Sequence, residues 1–342
     1  MDIKFLQADK GDCILLSWTN GTIISQVIID GGISGTYRYI RPELVKNPKL
    51  DAVFITHVDY DHIGGIFKVI DDKNSPIKNK YPVFVNTPEL ILHPLDTDKV
   101  GVSHGIEFDK LLKDKNIEKK GAVVGLYKNN EIYINGLKLT ILSPTKEILT
   151  KFCAKWTANE LYKQHLIESI TDDKVATKTF EYPSYEDIIN SNEQTHKWED
   201  DLINSSSVAF IAEHNNCKIL LLGDANPDIV ANELEMLGYN ETNNKIKVEL
   251  LKISHHGSRH NTTKRLLNLI DSKDIVISTN GAGPYFHPHR ETIIKIAEYC
   301  RVKKEDKLII NTNYDLQKYR FIKDNEEKDW NIEIKKKLHF TY

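Results

Sequence analysis

The chain has 342 residues, 40% hydrophobic and 28% charged, enough to bury a full core as one large domain or two ordinary ones. Lys and Arg number 46 against 49 Asp and Glu, and this formal charge of -3 excludes a global field that would draw the chain to nucleic acid or an anionic membrane, leaving only local basic patches. No run of about 18 apolar residues occurs and no apolar leader follows Met1, so the expectation is a cytoplasmic protein with neither export nor membrane insertion.

The opening alternates like a β-meander: IKFLQ, CILLSW and SQVIID are strand-like runs broken by KGD and by TNGT, where Asn20-Gly21 signals a hairpin. LDAVFITH is an apolar run suited to a strand buried on both faces, and it delivers His57 to its tip. IGGIFKVIDD reads as the helix that follows. KYPVFVN and EIYINGLKLTILSP are again strand-like, with a Lys-rich, helix-prone stretch near 105–120 between them. Residues 145–200 show no alternation, and about 75–200 is read as partly core and partly insertion, a lid or a partner surface, within a single domain spanning 1–342.

Regular pattern resumes at SSSVAFIAEHNNCKILLLGDAN, two strands around His214-Asn215-Asn216. A helix (PDIVANELEML), a strand (KVELLKISHHGS), a helix (TTKRLLNLI), a strand (DIVISTNG) and a helix (HRETIIKIAEYC) follow, which is α/β alternation. The tail offers one or two further strands, with Lys335, Lys336 and Lys337 as a solvated edge. Cys13, Cys153, Cys217 and Cys300 are scattered with no CxxC spacing, consistent with reduced, buried thiols.

The stretch ITHVDYDHIGG crowds His57, Asp59, Asp61 and His62 into six residues and follows them with two glycines. Asp30, His57, Asp224 and His255 each end an expected strand, so a sheet would bring them to one edge, where α/β active sites form. His57 and Asp59, two apart on extended chain, point the same way, while Asp61 and His62 open the helix. A solvated turn with ordinary histidines is the plain alternative, and the GDA and HHGS turns after two other apolar strands argue against it.

These residues resemble the HxHxDH motif of the metallo-β-lactamase fold, a four-layer αββα sandwich, and in particular its competence-type branch, the nuclease-like domain of ComEC DNA-uptake proteins. The matching pieces come in order: KGDCILL with IIDGG, THVDYDHIGG, NSSSVAF, LLLGDA, LKISHHGS and FHPH. Two departures stand out. Asp59 replaces the family's usual second histidine, and the third motif offers Asn204 and Ser205, with His196 eight residues upstream of Asn204.

The resemblance implies two divalent metal ions, one held by His57, Asp59 and a bridging Asp224, the other by Asp61, His62, Asp224 and His255 or His256, with His255 preferred. Three carboxylates make the site hard, suiting Mn²⁺, Mg²⁺ or Fe²⁺ while still accepting Zn²⁺. Asp30 would orient a ligand from behind, and Asp12 reads as a turn residue. Asp61, His256 and His287 are the expected catalytic groups, with His287 a proton donor; Asn204, Ser258, Arg259 and His289 are the expected substrate contacts, with Lys264 and Arg265 as further cations.

The function expected from this set is hydrolysis of a phosphodiester in single-stranded nucleic acid or a nucleotide, through a hydroxide shared by the two ions. The rivals are a small-molecule esterase or lactonase on the same fold and a metal-binding module serving a protein partner through the insertion. Oligomeric state is not legible.

Overall fold

The computed structural model describes all residues except 88–102, 158–182, 192, 194, 283–285, 301–305, 317–320 and 323. Strands run β1 (Asp2–Phe5), β2 (Ile14–Asn20), β3 (Ile23–Ile29), β4 (Ala52–Phe54), β5 (Val83–Phe84), β6 (Lys119–Lys120), β7 (Glu131–Ile134) and β8 (Leu137–Ser143). They continue as β9 (Ala209–His214), β10 (Cys217–Leu221), β11 (Ile246–Lys252), β12 (Ile270–Ile277), β13 (Leu308–Thr312), β14 (Ile332–Lys336) and β15 (His339–Thr341). One sheet has the order β15-β1-β2-β3-β4-β5-β6 and the other β14-β13-β12-β11-β10-β9-β8-β7.

The two sheets follow one plan. Antiparallel strands come first, β1 to β3 in one sheet and β7 to β10 in the other, where a long connection from Ser143 to Ala209 separates the β7–β8 and β9–β10 hairpins. Parallel strands follow, starting with the β3/β4 pair and the β10/β11 pair. The β2–β3 hairpin closes on Asn20 opposite Ile23, with Gly21 in the left-handed region at φ +64°, a conformation glycine adopts without a Cβ penalty.

Ile3, Phe5, Leu16, Val27, Phe54 and Phe84 from the first sheet meet Leu139, Ile141, Phe210, Ile219, Leu221 and Val276 from the second in a shared interior. Phe54 stacks on Phe84 at 4.3 Å and meets Phe210 across the sheets at 5.8 Å. Truncating a ring so placed costs about 3–5 kcal/mol.

Helices α1 (Tyr37–Lys46), α2 (Tyr60–Asp71), α3 (Ser103–Asp114) and α4 (Lys146–Thr157) cover the outer face of the first sheet. In α2, Ile63, Ile66, Val69 and Ile70 recur at helical spacing and are all buried there. Helices α5 (Pro227–Met236), α6 (Lys264–Asn268) and α7 (Arg290–Tyr299) cover the second through Val230, Leu234, Leu266, Leu267, Ile293 and Ile296. The result is the four-layer αββα sandwich.

Between residues 75 and 200, β5 and β6 extend the first sheet, β7 and β8 the second, and a short helix spans Tyr185–Asn190. The rest of the expected insertion falls largely outside the described residues. β14 lies at the edge of the second sheet and carries Lys335 and Lys336. No helix among the described residues is long and apolar enough to cross a membrane.

Candidate metal centre

The first parallel pair of each sheet carries the site. Asp30 follows β3, His57 lies three residues beyond β4, Asp224 three beyond β10 and His256 four beyond β11. The ligand-type residues therefore sit on turns just past the strands rather than on the strand ends themselves. Close backbone packing fixes the turns. The Gly31 N–H donates to the His62 carbonyl at 2.6 Å and the Gly65 N–H to the Gly32 carbonyl at 2.9 Å. A Cβ on Gly65 would stand 2.0 Å from the Gly31 carbonyl oxygen, so any side chain there would push α2, and His62 with it, off the sheet.

Helix α2 begins at Tyr60, so Asp61 and His62 lie in its first turn, with Asp59 at its N-cap position. Asp59 makes no side-chain capping bond, and its Oδ2 lies 3.5 Å from His57 Nε2.

Three histidines each have one ring nitrogen fixed by an acceptor. His256 Nδ1 donates to the Ser278 carbonyl at 2.8 Å, an oxygen that only accepts. His62 Nδ1 donates to Asp30 Oδ2 at 2.8 Å. Thr56 Oγ1 gives its single hydrogen to Asp30 Oδ2 at 2.6 Å, so it accepts from His57 Nδ1 at 3.1 Å. All three tautomers therefore leave Nε2 with a free lone pair. Those three Nε2 atoms are buried without a hydrogen-bond partner, as is Asp224 Oδ1. Asp224 Oδ2 lies 3.4 Å from His62 Nε2 and 3.5 Å from His256 Nε2. Three unpartnered buried ring nitrogens gathered around one carboxylate are costly unless a cation sits among them, and the donor set therefore fits divalent metal.

The electrostatics agree. Burial opposes charge on His62, yet the Asp224 and Asp30 carboxylates lift its pKa well above the ordinary value; His256 is raised likewise by Asp224 and Asp12 against its burial. Burial would raise Asp224, but His256, His62 and His255 bring it well below the usual carboxylate range. The cluster binds positive charge, and protons and metal ions compete for it.

His57, His62 and Asp224 offer ligand atoms mutually within 4.8 Å, and so do Asp61, His62 and His256. Between the two neighbouring histidines, geometry favours His256 over His255. Both adopt left-handed backbone, φ +46° and +52°, and the turn drives the His256 ring inward. The His255 side chain stays 25% exposed, with Nε2 at 3.9 Å from Asp224 and Nδ1 on Asn261 Oδ1 at 3.0 Å.

The other expected contacts take the following positions. The Asn204 amide donates to Asp201 on the short helix Leu202–Ser205, whereas Ser207 reaches the site: its Oγ accepts the Asp224 N–H at 2.9 Å and lies 3.5 Å from His57 Nδ1. His196 stacks on His260 at 4.1 Å. Ser258 is buried and caps the turn at His260. Arg259 is exposed and held by Glu291 at 3.1 Å, its N–H given to His289 Nδ1. Lys264 lies over the Tyr299 ring and Arg265 pairs with Glu235; the first N–H groups of α6 are taken by Glu193 and Thr263, leaving that helix start no anion site.

His287 lies 5.3 Å from the His255 ring and 4.7 Å from His289. Burial and the neighbouring His255 and His289 hold it far below the ordinary imidazole value, and burial with Arg259 brings His289 to about 4 against the pull of Glu291. Both rings are thus held toward the neutral form, which suits hydrogen bonding more than proton storage.

Asp12 is no turn residue. It is buried and paired with Lys252, itself wholly buried on β11. Thr56, Ser207, Asn261 and Ser278 also went unread. Thr56 stands beside His57 inside the motif, while Ser278 acts through its backbone and has no side-chain signal.

Residues 12–108 match the model of the metallo-beta-lactamase superfamily. A stretch of 93 residues is 30% identical to ComE operon protein 3 of Bacillus subtilis (strain 168); it makes up 26% of this chain and 11% of that protein, so the chain spans about a tenth of its length. Among solved structures, Zn(2+)-bound PqqB from Methylobacterium extorquens is similar at 8% identity and a TM-score of 0.46, with 100% of each chain covered. The metallo-beta-lactamase fold protein YhfI from Bacillus subtilis is similar at 9% identity and 0.43, covering 99% of this chain and 98% of that one.

Proposed function

We propose that this metallo-β-lactamase-fold chain is a dinuclear metal hydrolase that cleaves phosphodiesters in single-stranded nucleic acid or nucleotides. The observation that carries the metal reading is the convergence of His57, His62 and His256 Nε2 on Asp224 with no partner of their own. His57, Asp59 and Asp224 would hold one ion and Asp61, His62, His256 and Asp224 the other, with manganese or zinc the first candidates. A bound pair of divalent ions supplies Lewis acidity and an activated water at neutral pH.

The chain's own residues do the rest. Asp30, Thr56, Ser207 and Ser278 fix the rings from behind, so the ligand geometry exists before substrate arrives. His255 gives its Nδ1–H to Asn261, and His287, packed beside it and held toward the neutral form by burial, would hydrogen-bond an oxygen of a transferring phosphoryl group. Arg259, steadied by Glu291, places a cation at the rim, where it favours an anionic diester over a neutral ester. The resemblance of the motifs to the competence-type branch points to the same substrate class.

The test is to load the protein with Mn²⁺ or Zn²⁺, quantify bound metal, and assay bis-p-nitrophenyl phosphate, single-stranded DNA, RNA, cyclic nucleotides and a lactone panel in parallel. Metal-dependent diester cleavage is expected; lactone opening with every diester left intact would install the esterase reading.

A further inference from the structure

Lys252 is a lysine with no solvent access, set in the middle of a buried network. Its ammonium pairs with Asp12, donates to the Gly223 carbonyl at 3.0 Å, and stands 3.9 Å from Asp224 Oδ1. That oxygen has no hydrogen-bond partner. Asp12 comes from the opposite sheet's β1–β2 connection and is 1% exposed; one of its oxygens faces His256 Nδ1 at 3.7 Å. The pair thus borders the candidate centre on two sides, Asp12 beside His62 and His256, and Lys252 on the Gly223 carbonyl next to Asp224.

Resting on the metal-centre reading above, we propose that Asp12 is a positioning residue that withholds the Lys252 ammonium from Asp224 and so keeps that carboxylate free for metal. Lys252 is a resident cation beside the site, and a shift of about 1 Å would close a direct bond of ordinary length to Asp224. Asp12 prevents it by offering the ammonium a nearer carboxylate than Asp224 does. Charge counting supports the arrangement. Asp12, Asp30, Asp59, Asp61 and Asp224 bring five negative charges, and two divalent ions with Lys252 bring five positive ones, so the loaded site is balanced with the lysine included.

A simple buried staple predicts symmetric losses, because breaking either half of a buried pair leaves an uncompensated charge. Withholding predicts asymmetry. Asp12→Asn releases Lys252 onto Asp224 and should weaken Mn²⁺ binding tenfold or more. Lys252→Met removes the competitor and should leave Mn²⁺ affinity within about threefold of wild type. The double variant should regain the affinity that Asp12→Asn loses.

The experiment is competition titration of Mn²⁺ into the four full-length proteins, with circular dichroism and thermal unfolding in EDTA to establish that each is folded at the titration temperature. Equal losses in both single variants, wild-type affinity in Asp12→Asn, or a folded double variant as weak as Asp12→Asn would each overturn the proposal while the metal-centre reading stands. Should a single variant fail to fold, the double variant decides alone: wild-type affinity supports withholding and a tenfold loss defeats it. A wild-type protein that binds no divalent ion would remove the metal-centre reading, and this proposal with it.

Discussion

Asp30 accepts three hydrogen bonds, from Thr56 N at 2.8 Å, Thr56 Oγ1 at 2.6 Å and His62 Nδ1 at 2.8 Å, and through them it sets the tautomers of both His62 and His57. A single buried carboxylate thus orients two candidate ligands. Asp30→Asn keeps the volume but brings an amide NH₂ into a place where three donors already point. Metal affinity should fall about 10- to 100-fold, the usual cost of losing such a partner. A competition titration reads it; unchanged affinity would show that the rings are held by packing alone.

The same reasoning separates His255 from His256. His256→Ala should lose metal, because its Nε2 faces Asp224 and its Nδ1 is committed to Ser278. His255→Ala should keep its metal and lose turnover, because that ring stands at the mouth, tied to Asn261. Metal content per chain by atomic spectroscopy decides, and the reverse pattern would exchange the two roles.

Much of this was legible in the chain because the candidate ligands sit in short apolar-run-plus-turn units: ITHVDYDH, LLLGDA and LKISHHGS each announce a strand and the turn that carries the candidate ligand. The alternation gave the α/β class, and the four-layer arrangement came with the resemblance of the motifs. Asp12 and Lys252 were misread or missed for a physical reason: their meaning lies in each other, and they are 240 positions apart. His255 and His256 cannot be ranked from sequence, since two successive left-handed residues decide which ring turns inward. Lys264 and Arg265 looked like phosphate contacts, but Glu235, remote in sequence, holds Arg265 and the Tyr299 ring lies under Lys264, whereas Arg259 stays exposed and is only steadied by Glu291.

Asp59 stands where a histidine would soften the site. Asp59→Ala should lower metal content and activity sharply, and Asp59→His should move preference toward Zn²⁺ over Mn²⁺, since imidazole suits zinc better than it suits harder ions. Metal-competition curves for the wild type and both variants measure this. Full occupancy by two ions in Asp59→Ala would remove Asp59 from the ligand set.

Stability of the metal-free protein should depend on pH in a definite direction. His62 and His256 have raised folded-state values, so their contribution is fully present below the unfolded value near 6.5 and is lost as pH rises through the folded values. Asp12 and Asp224 have lowered values, so theirs is present above about 3.8 and is lost as pH falls through the folded ones. These are two sides of the same pairings and count once. His287 and His289, held low, cost stability only as pH falls below about 6.5, so above that value the metal-free chain should weaken toward alkaline pH, where bound metal replaces the missing protons. Melting temperatures with EDTA and with Mn²⁺ should diverge as pH rises from 5.5 to 8.5; convergence over that range would mean that the histidines do not titrate against metal.

Substrate class is tested at the rim. Arg259 is 43% exposed on its side chain, touches Glu291 and gives its backbone N–H to His289, so its removal should leave the metal ligands undisturbed. Its guanidinium acts on a negatively charged substrate and gains most where charge builds on the phosphoryl oxygens, so Arg259→Ala should lower kcat/KM for a diester about tenfold, equivalent to ~1.4 kcal/mol of transition-state contact. A neutral lactone carries no charge for the arginine to meet, and its turnover should change little. Glu291→Gln supplies the complementary arm: it loosens the guanidinium without removing it, so diester KM should rise while metal content stays constant. If Arg259→Ala cuts lactone and diester turnover alike, the arginine supports the His289 loop rather than the substrate, and the preference for anionic substrates must come from the metal ions themselves.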